Sequence, residues 1–486
     1  METQDEPSRD RVRLVASTGD IAAEFSTSVE AGNGEAHSPE IRDDILSYFE
    51  SAQWTADGTA LLTYSSTDLV SGYILPEDLV SAGNELTLKP QACIQLPEPS
   101  NVLSGAPYFS LAEPWTQQLL VSARDHPLQL FYLTPSPSTS TNSHPPISSY
   151  PFTKARSETF LTATSLLWQP PGSHFIAGGR SLLARFDIQR TGEEPVTRIR
   201  TIPSERHLSK GGGVGMRGTV SALGGQPAEN GASLVAAGTW TRWVGLYDFA
   251  QAGECVATWG IATAVRETAT NETMNGGKCS GQDENLGGIG GDGITQTIWS
   301  PCGRYLVICE RKSRGALIYD VRVTGKLLGY LIGRDALGNQ RVACDVFPGT
   351  DENSGFEVWS GTSSGIMKVW EGVGSLEGPH KPSWEWAAHG STVGSACVHP
   401  SGTVVATCAG SWEFPNEDDD SSHSSSLSSS DSGLGSDSEE DGDDSRSDSE
   451  AGSFRGRIPW MHRRNKESSL KIWSTTGPPS KTIEFA

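Results

Sequence analysis

No run of apolar residues in this chain reaches the ~18 that a bilayer-crossing helix needs. The opening METQDEPSRDRVRLVAST also lacks the apolar core of a signal peptide. Eight cysteines are present (Cys93, Cys255, Cys279, Cys302, Cys309, Cys344, Cys397 and Cys408), but none forms a CxxC pair or stands at zinc spacing with histidine. Several lie inside apolar strand patterns, where cysteine acts as a small hydrophobe. These absences predict reduced core thiols, no metal, no cofactor and no membrane span, in a cytosolic or nuclear protein. A basic excess is missing as well: 37 Lys and Arg stand against 59 Asp and Glu, a net charge of −22. Wholesale wrapping of nucleic acid needs a basic face, so only a local basic patch is left open. Helical 3.6-residue periodicity of useful length is also absent.

The acid is unevenly placed. Glu417 to Ser453 holds thirteen Asp or Glu and one Arg, which is −12 and leaves −10 for the rest of the chain. That composition cannot build a core, so residues 416–454 are expected to be a disordered insert. Ser436 and Ser438 each have an acidic residue three positions on, a pattern that suits an acidophilic kinase, and both are candidate phosphorylation sites. The alternative is a loop that only adds solubility.

Glycine and tryptophan are plentiful, at 54 and 14, and the tryptophans are spread along the chain. That spread favours a repeated local role over one aromatic pocket. A repeat is visible: a short strand, a turn of the form aromatic-x-Pro/Ala-x-Gly, a second strand, a small-residue turn, and a third strand closing on an aromatic. Trp54 to Gly58, Trp168 to Gly172, Trp299 to Gly303 and Val398 to Gly402 carry the turn, and weaker copies fill the gaps. Seven copies are anchored near positions 54, 109, 168, 222, 299, 347 and 398. Their spacing exceeds the ~40–45 residues of a four-stranded WD40 blade, so loop insertions are implied. The longest is assigned to the Gly/Asn/Thr-rich stretch from Ile261 to Gly293, read as a loop.

Such strands form antiparallel meanders, and one blade alone cannot bury both its faces. The fold class expected is therefore all-β, a seven-bladed WD40 β-propeller over residues 41–486, its last blade split by the acidic insert. Residues 1–40 are expected to be a disordered or loosely attached arm. Tyr73, Phe131, Phe186, Tyr247, Tyr319, Trp370 and Trp473 close the third strands and should fill the gaps between blades.

Two motifs imitate catalytic ones. Gly361 to Gly365 matches G-x-S-x-G, but it joins two strands, whereas a nucleophile elbow leads into a helix. Gly288 to Gly293 matches G-x-G-x-x-G, but a strand follows it, so no helix N-terminus is there to hold phosphate. It reads as a flexible linker. His389 and His399 fall at blade-entry or turn positions, where hydrogen bonding within the blade is the ordinary role. No enzyme and no small-molecule substrate are expected.

Directly after the insert, Arg455, Arg457, Arg463, Arg464, Lys466 and Lys471 surround Trp460. Basic residues interleaved with an aromatic suit single-stranded RNA. A nuclear import signal and ion pairing with the acidic tract are the alternatives. A second basic stretch, YDVRVTGKLLGYLIGRDALGNQRVACDVFP, carries Arg322, Arg334, Asn339, Gln340 and Arg341. Arginine there can grip phosphate and stack on bases. The alternative is ion pairing with Asp320, Asp335 and Asp345.

That stretch, with the opening YFESAQWTADGTALLTYSSTDLVSGYILP, TWTRWVGLYD and GTSSGIMKVW, resembles the telomerase Cajal body protein family of WD40 proteins, including its fungal, splicing-associated branch. The resemblance runs from about Ile45 to Trp473. It implies a nuclear scaffold, with a cytoplasmic pool allowed. Its implied partners are small nuclear or Cajal-body RNA and ribonucleoprotein proteins; a monomer is expected. A general protein-interaction hub without RNA contact is the competing reading. Lengthening a turn to roughly fifty residues costs only about 2 kcal/mol in closure entropy. Deleting Glu417 to Ser453 should therefore leave the thermal unfolding midpoint almost unchanged, and a fall of many degrees would show that the tract is structural.

Overall fold

Alternating apolar strands separated by glycine turns assemble, in the computed structural model, into seven small sheets. The structure describes residues 12–21, 47–81, 84–133, 145–202, 215–227, 234–274, 289–349, 355–412 and 467–475. The chain divides into two units, residues 1–411 with 466–486, and residues 412–465. Of the second unit only Trp412 is described. The acidic insert, Ser436, Ser438 and the basic run from Arg455 to Arg464 all lie outside the described residues, so the account concerns the first unit.

Blade 1 is Phe49–Trp54, Ala60–Ser65, Leu69–Ile74 and Ala92–Gln95, and blade 2 is Ser100–Gly105, Gln118–Ala123, Leu128–Tyr132 and Ser148–Tyr150. Blade 3 is Ser165–Trp168, His174–Gly179, Leu182–Asp187 and Thr197–Arg200, and blade 4 is Val220–Gly225, Leu234–Thr239, Trp243–Asp248 and Glu254–Gly260. Blade 5 is Ile294–Trp299, Tyr305–Glu310, Ser313–Asp320 and Leu327–Ala336, and blade 6 is Cys344–Pro348, Phe356–Gly361, Ile366–Val373 and Trp384–Ala387. Blade 7 takes Val393–Val398, Val404–Ala409 and Ser469–Thr475 from the C-terminal part of the chain and Val12–Ser17 from the N-terminal part. The seven-bladed propeller read from the repeat is the fold observed.

Aromatic burial explains the stacking. Tyr73, Phe131, Phe186, Tyr247, Tyr319 and Trp370 are each at most 3% exposed, and Trp473 packs part-buried against the same kind of cluster. Each such side chain contributes roughly 1.5–3 kcal/mol by burial. Polar side chains of the first strands then tie each blade to the next. Ser165 donates to the Val220 carbonyl (2.8 Å), Ser221 to that of Ile294 (2.5 Å), Gln296 to that of Cys344 (2.7 Å) and Ser395 to that of Ala52 (3.1 Å). The last of these crosses from blade 7 to blade 1.

Strand order fixes where the turns emerge. Successive strands are antiparallel, so turns between second and third strands share one face, here the upper, with the segments linking blades. Turns between first and second and between third and fourth strands share the other. On the upper face the Ser181 amide donates to the Gly218 carbonyl (3.0 Å). On the lower face His399 Nε2 lies 3.1 Å from the Gly58 carbonyl, and its ring meets Trp54 edge-on at 4.8 Å. Gly58 and Gly402 hold φ of 69° and 70° in the two facing turns, a region where a side chain is costly. Gly361 to Gly365 joins two strands of blade 6, as read from the sequence.

Three expectations are corrected. Residues 12–21 are not a loose arm: Val12–Ser17 pairs antiparallel with Ser469–Thr475, because blade 7 would otherwise lack its outer strand. Leu86–Thr87 of blade 1 then pairs parallel with that strand, as Gly378–His380 of blade 6 does with the outer strand of blade 5, and each covers an exposed edge. The stretch from Ile261 to Gly293 is not all loop, since Ala262–Met274 is helical. Its short apolar side, Ala264 and Val265, packs with Trp259 and Ile289, too few positions to register as periodicity. Residues 289–293 are not a flexible linker either. Ile289 is 1% exposed, and the Gly293 amide donates to the Glu310 carboxylate (3.3 Å). Of the described cysteines, Cys309, Cys344, Cys397 and Cys408 are buried, Cys93, Cys255 and Cys302 are exposed, and all are free thiols. Cys279 lies outside the described residues.

Blade 7 is locked by a buried polar chain. Trp473 Nε1 donates to Thr407 Oγ1 (2.9 Å), and that hydroxyl meets His389 Nε2 (2.8 Å). His389 Nδ1 then faces Glu467 (3.2 Å) and Ser469 (3.0 Å). With Thr407 donating to Nε2, the imidazole is neutral and donates from Nδ1; burial, the main cause, holds its proton affinity below the usual histidine value. Burial alone would raise the Glu467 carboxyl. Bonds from His389, Lys471, Ser469 and the Gly390 amide outweigh it and hold the group well below the usual carboxylate range. A depressed carboxylate stabilises the fold above its unfolded-state value and loses that contribution as pH falls. Glu467→Gln should therefore cost about 2 kcal/mol near neutrality, and the gap to wild type should narrow below about pH 4. Thermal melts of both proteins across pH check this; an equal gap at every pH would exclude an ionic role.

Candidate functional site

Linking segments converge on the channel at the centre of the upper face, and the Arg322–Arg341 stretch is divided by that geometry. Arg322 follows the third strand of blade 5 and lies on the lower face, exposed and paired with Asp320, its Nε 2.9 Å from the carboxylate. Arg334 is 1% exposed. It donates to Ser360 Oγ (3.2 Å), the Glu310 carbonyl (3.2 Å) and the Val342 carbonyl, holding blades 5 and 6 together. Neither uses the full set of expected acids. Asp335 meets Lys368 (3.8 Å), and Asp345 accepts from the Val398 amide (2.7 Å) and the Val346 amide (2.8 Å).

Asn339, Gln340 and Arg341 are the part brought together, in the segment entering blade 6. Asn339 is exposed, and Gln340 donates to the Gly410 carbonyl (2.8 Å), where the chain leaves blade 7 towards the acidic tract. Arg341 Nη2 reaches the Thr164 carbonyl (3.4 Å) at the entrance to blade 3, so its side chain crosses the channel mouth. Its guanidinium is solvent-accessible yet ringed by protein. Burial lowers its proton affinity, and attraction to Glu50 of blade 1 offsets part of this. Glu50 is itself raised by burial and by Asp68.

A second basic group was not singled out from the sequence. Arg124, Arg180, Arg242 and Arg311 each stand at the turn after the second strand, in blades 2 to 5. Once the blades are in register, that recurrence is the signal that could have found it. The turns of blades 3, 4 and 5 touch through the linking segments. Thr241 donates to the Arg217 carbonyl (2.6 Å), and the Arg311 amide to the Gly293 carbonyl (3.1 Å). Arg180, Arg217, Lys312 and Arg314 are exposed, and Trp240 stands among them 42% exposed. Arg242 is spent on Glu310, which it grips through both carboxylate oxygens (2.7 and 3.2 Å). Burial raises the Glu310 carboxyl, and Arg242 and the Gly293 amide counter that. Asp292 faces Arg311 (3.4 Å) and Lys312 (3.9 Å). Among the described residues no ion pair takes up Arg180, Arg217 or Arg314.

No family model matches the sequence. Curated proteins do. Telomerase Cajal body protein 1 of Bos taurus is 25% identical over 373 residues, 76% of this chain and 58% of that protein. Its Homo sapiens counterpart is 23% identical over 385 residues, 78% of this chain and 60% of that protein. The chain is a homologue of the telomerase Cajal body proteins. It spans 58–60% of the length of these two relatives. Guanine nucleotide-binding protein negative regulator 1 of Schizosaccharomyces pombe is 23% identical over 339 residues, 69% of this chain and 73% of that protein. The family read from the motifs is thus the one found.

Burial separates the roles of two arginines in this homologue. Arg334→Leu should destabilise the propeller by about 3 kcal/mol, because three acceptors lose a buried donor. Arg322→Ala should leave the midpoint unchanged. Equal melts for Arg334→Leu and wild type would remove the structural role.

Proposed function

We propose that this propeller is a non-catalytic nuclear WD40 scaffold that binds a small non-coding RNA or the small ribonucleoprotein containing it. The observation that carries the reading is the similarity, across most of the chain, to proteins named for telomerase and the Cajal body. A propeller by itself hosts many functions, so the chemistry of the upper face matters. Arginines there can hold phosphate bidentately. In this reading Asn339, Gln340 and Arg341 contact the partner at the channel mouth. The run around Trp460, with Arg455, Arg457, Arg463 and Arg464, adds a second basic contact. Ser436 and Ser438, when phosphorylated, would add negative charge to the acidic tract. The RNA is of Cajal-body, telomerase or splicing type.

Crosslinking tests the reading. The tagged full chain is irradiated in nuclei, purified under denaturing conditions, and its bound RNA sequenced against a mock control. A small structured RNA enriched by direct crosslinks supports it. No crosslinked RNA, with protein complexes intact after RNase, would replace it with a protein-interaction hub.

A further inference from the structure

We propose that the upper-face arc across blades 3 to 5 is a seat for single-stranded RNA, with phosphates along Arg180, Arg217, Lys312 and Arg314 and an unpaired base stacked on Trp240. This rests on the RNA reading above and assigns it a place. Three observations support it.

Charge is the first. The arc gathers Arg180, Arg217, Arg242, Arg311, Lys312 and Arg314 around two carboxylates, Asp292 and Glu310, in a chain whose net charge is −22. The helix that follows blade 4 carries Arg266 against Glu267 and Glu272, a net −1 that leaves the arc's positive excess in place. A polyanion is the complementary partner.

Continuity is the second. Arg180 bridges Thr219, the Trp240 amide donates to the Thr219 carbonyl (3.2 Å), and the Asp292 amide donates to the Arg311 carbonyl (3.0 Å). The cations thus follow one path over three adjacent blades, as a backbone-tracking groove requires. They are not scattered surface charges.

The third is Trp240. A 42% exposed indole is unusual on a rim of small turns, and its backbone is fixed. A Cβ at Gly293 would lie 2.6 Å from the Trp240 carbonyl oxygen, so that turn is packed tightly against the next segment. A duplex keeps its base faces stacked inside the helix, out of reach of such a platform. Single-stranded RNA uses both the cations and the ring. The site needs no base-specific donor, so binding by the arc itself is sequence-tolerant.

Fluorescence anisotropy of the full chain with a labelled unstructured RNA of ~12 nucleotides tests this. Trp240→Ala should weaken binding about tenfold and leave binding to duplex RNA unchanged. Arg217→Ala with Lys312→Ala should weaken both, and lower the slope of log Kd against log salt by about 1.4 for the single strand. Arg180→Ala, on the neighbouring blade, gives an independent reading, and Arg322→Ala on the lower face should bind as wild type. All these side chains are exposed, so melts should match wild type. If wild type binds and the arc variants bind equally well, the arc is not the seat, while the RNA reading stands. If wild type binds neither the single strand nor the duplex, the seat falls, and the RNA reading is decided by the crosslinking. If polyglutamate competes fully and Trp240→Ala is silent, the arc is an acidic-protein surface and the proposal is overturned.

Discussion

A twisted four-stranded sheet with two apolar faces cannot be satisfied by a neighbour on one side only. Each blade here presents an aromatic from its third strand to the preceding blade, as Trp370 of blade 6 does to blade 5 and Tyr73 of blade 1 to blade 7, and the demand ends only when the last blade meets the first. The chain meets it by building blade 7 from both ends, with Val12–Ser17 laid against Ser469–Thr475. Trp54 Nε1 bonded to the Cys397 carbonyl (3.0 Å) and Ser395 bonded to Ala52 complete the seam. The two faces of turns and the central channel follow from that closure.

The ring was legible because its determinants are local and repeated. Turn glycines, third-strand aromatics and strand alternation recur in each copy, and a repeat averages out the weak ones. The outer strand of blade 7 was not legible. VRLVAS carries no turn signal of its own, and its partner is more than 450 residues away. The helix after blade 4 was hidden by its composition, since ATAVRETATNETM has too little apolar surface to show a period.

The candidate site was legible in part, for a geometric reason. Sequence proximity gathered Arg322 to Arg341 into one zone, but a ten-residue strand, Leu327–Ala336, runs between them. It spans roughly 33 Å, enough to carry the chain from the lower face to the upper. Arg322 and Arg341 therefore end on opposite faces, while Arg180, Arg217 and Arg311, from three different copies, end on one arc. Aligning the copies by strand position, and not scanning for dense basic runs, brings such a group into view. Burial of Arg334 is a separate matter, set by three acceptors that only the assembled blades 5 and 6 supply.

The cover over blade 7 has a mechanical consequence. Val12–Ser17 is gripped antiparallel by Ser469–Thr475 on one side and parallel by Leu86–Thr87 on the other, with the Leu88 amide also donating to the Ser17 carbonyl (2.7 Å). Tension drawn along that strand loads the bonds on both sides together, in shear. A strand held on one side only would meet the same pull with fewer flanking bonds. The seam joining the two ends of the ring is thus doubly held against a pull along its outer strand.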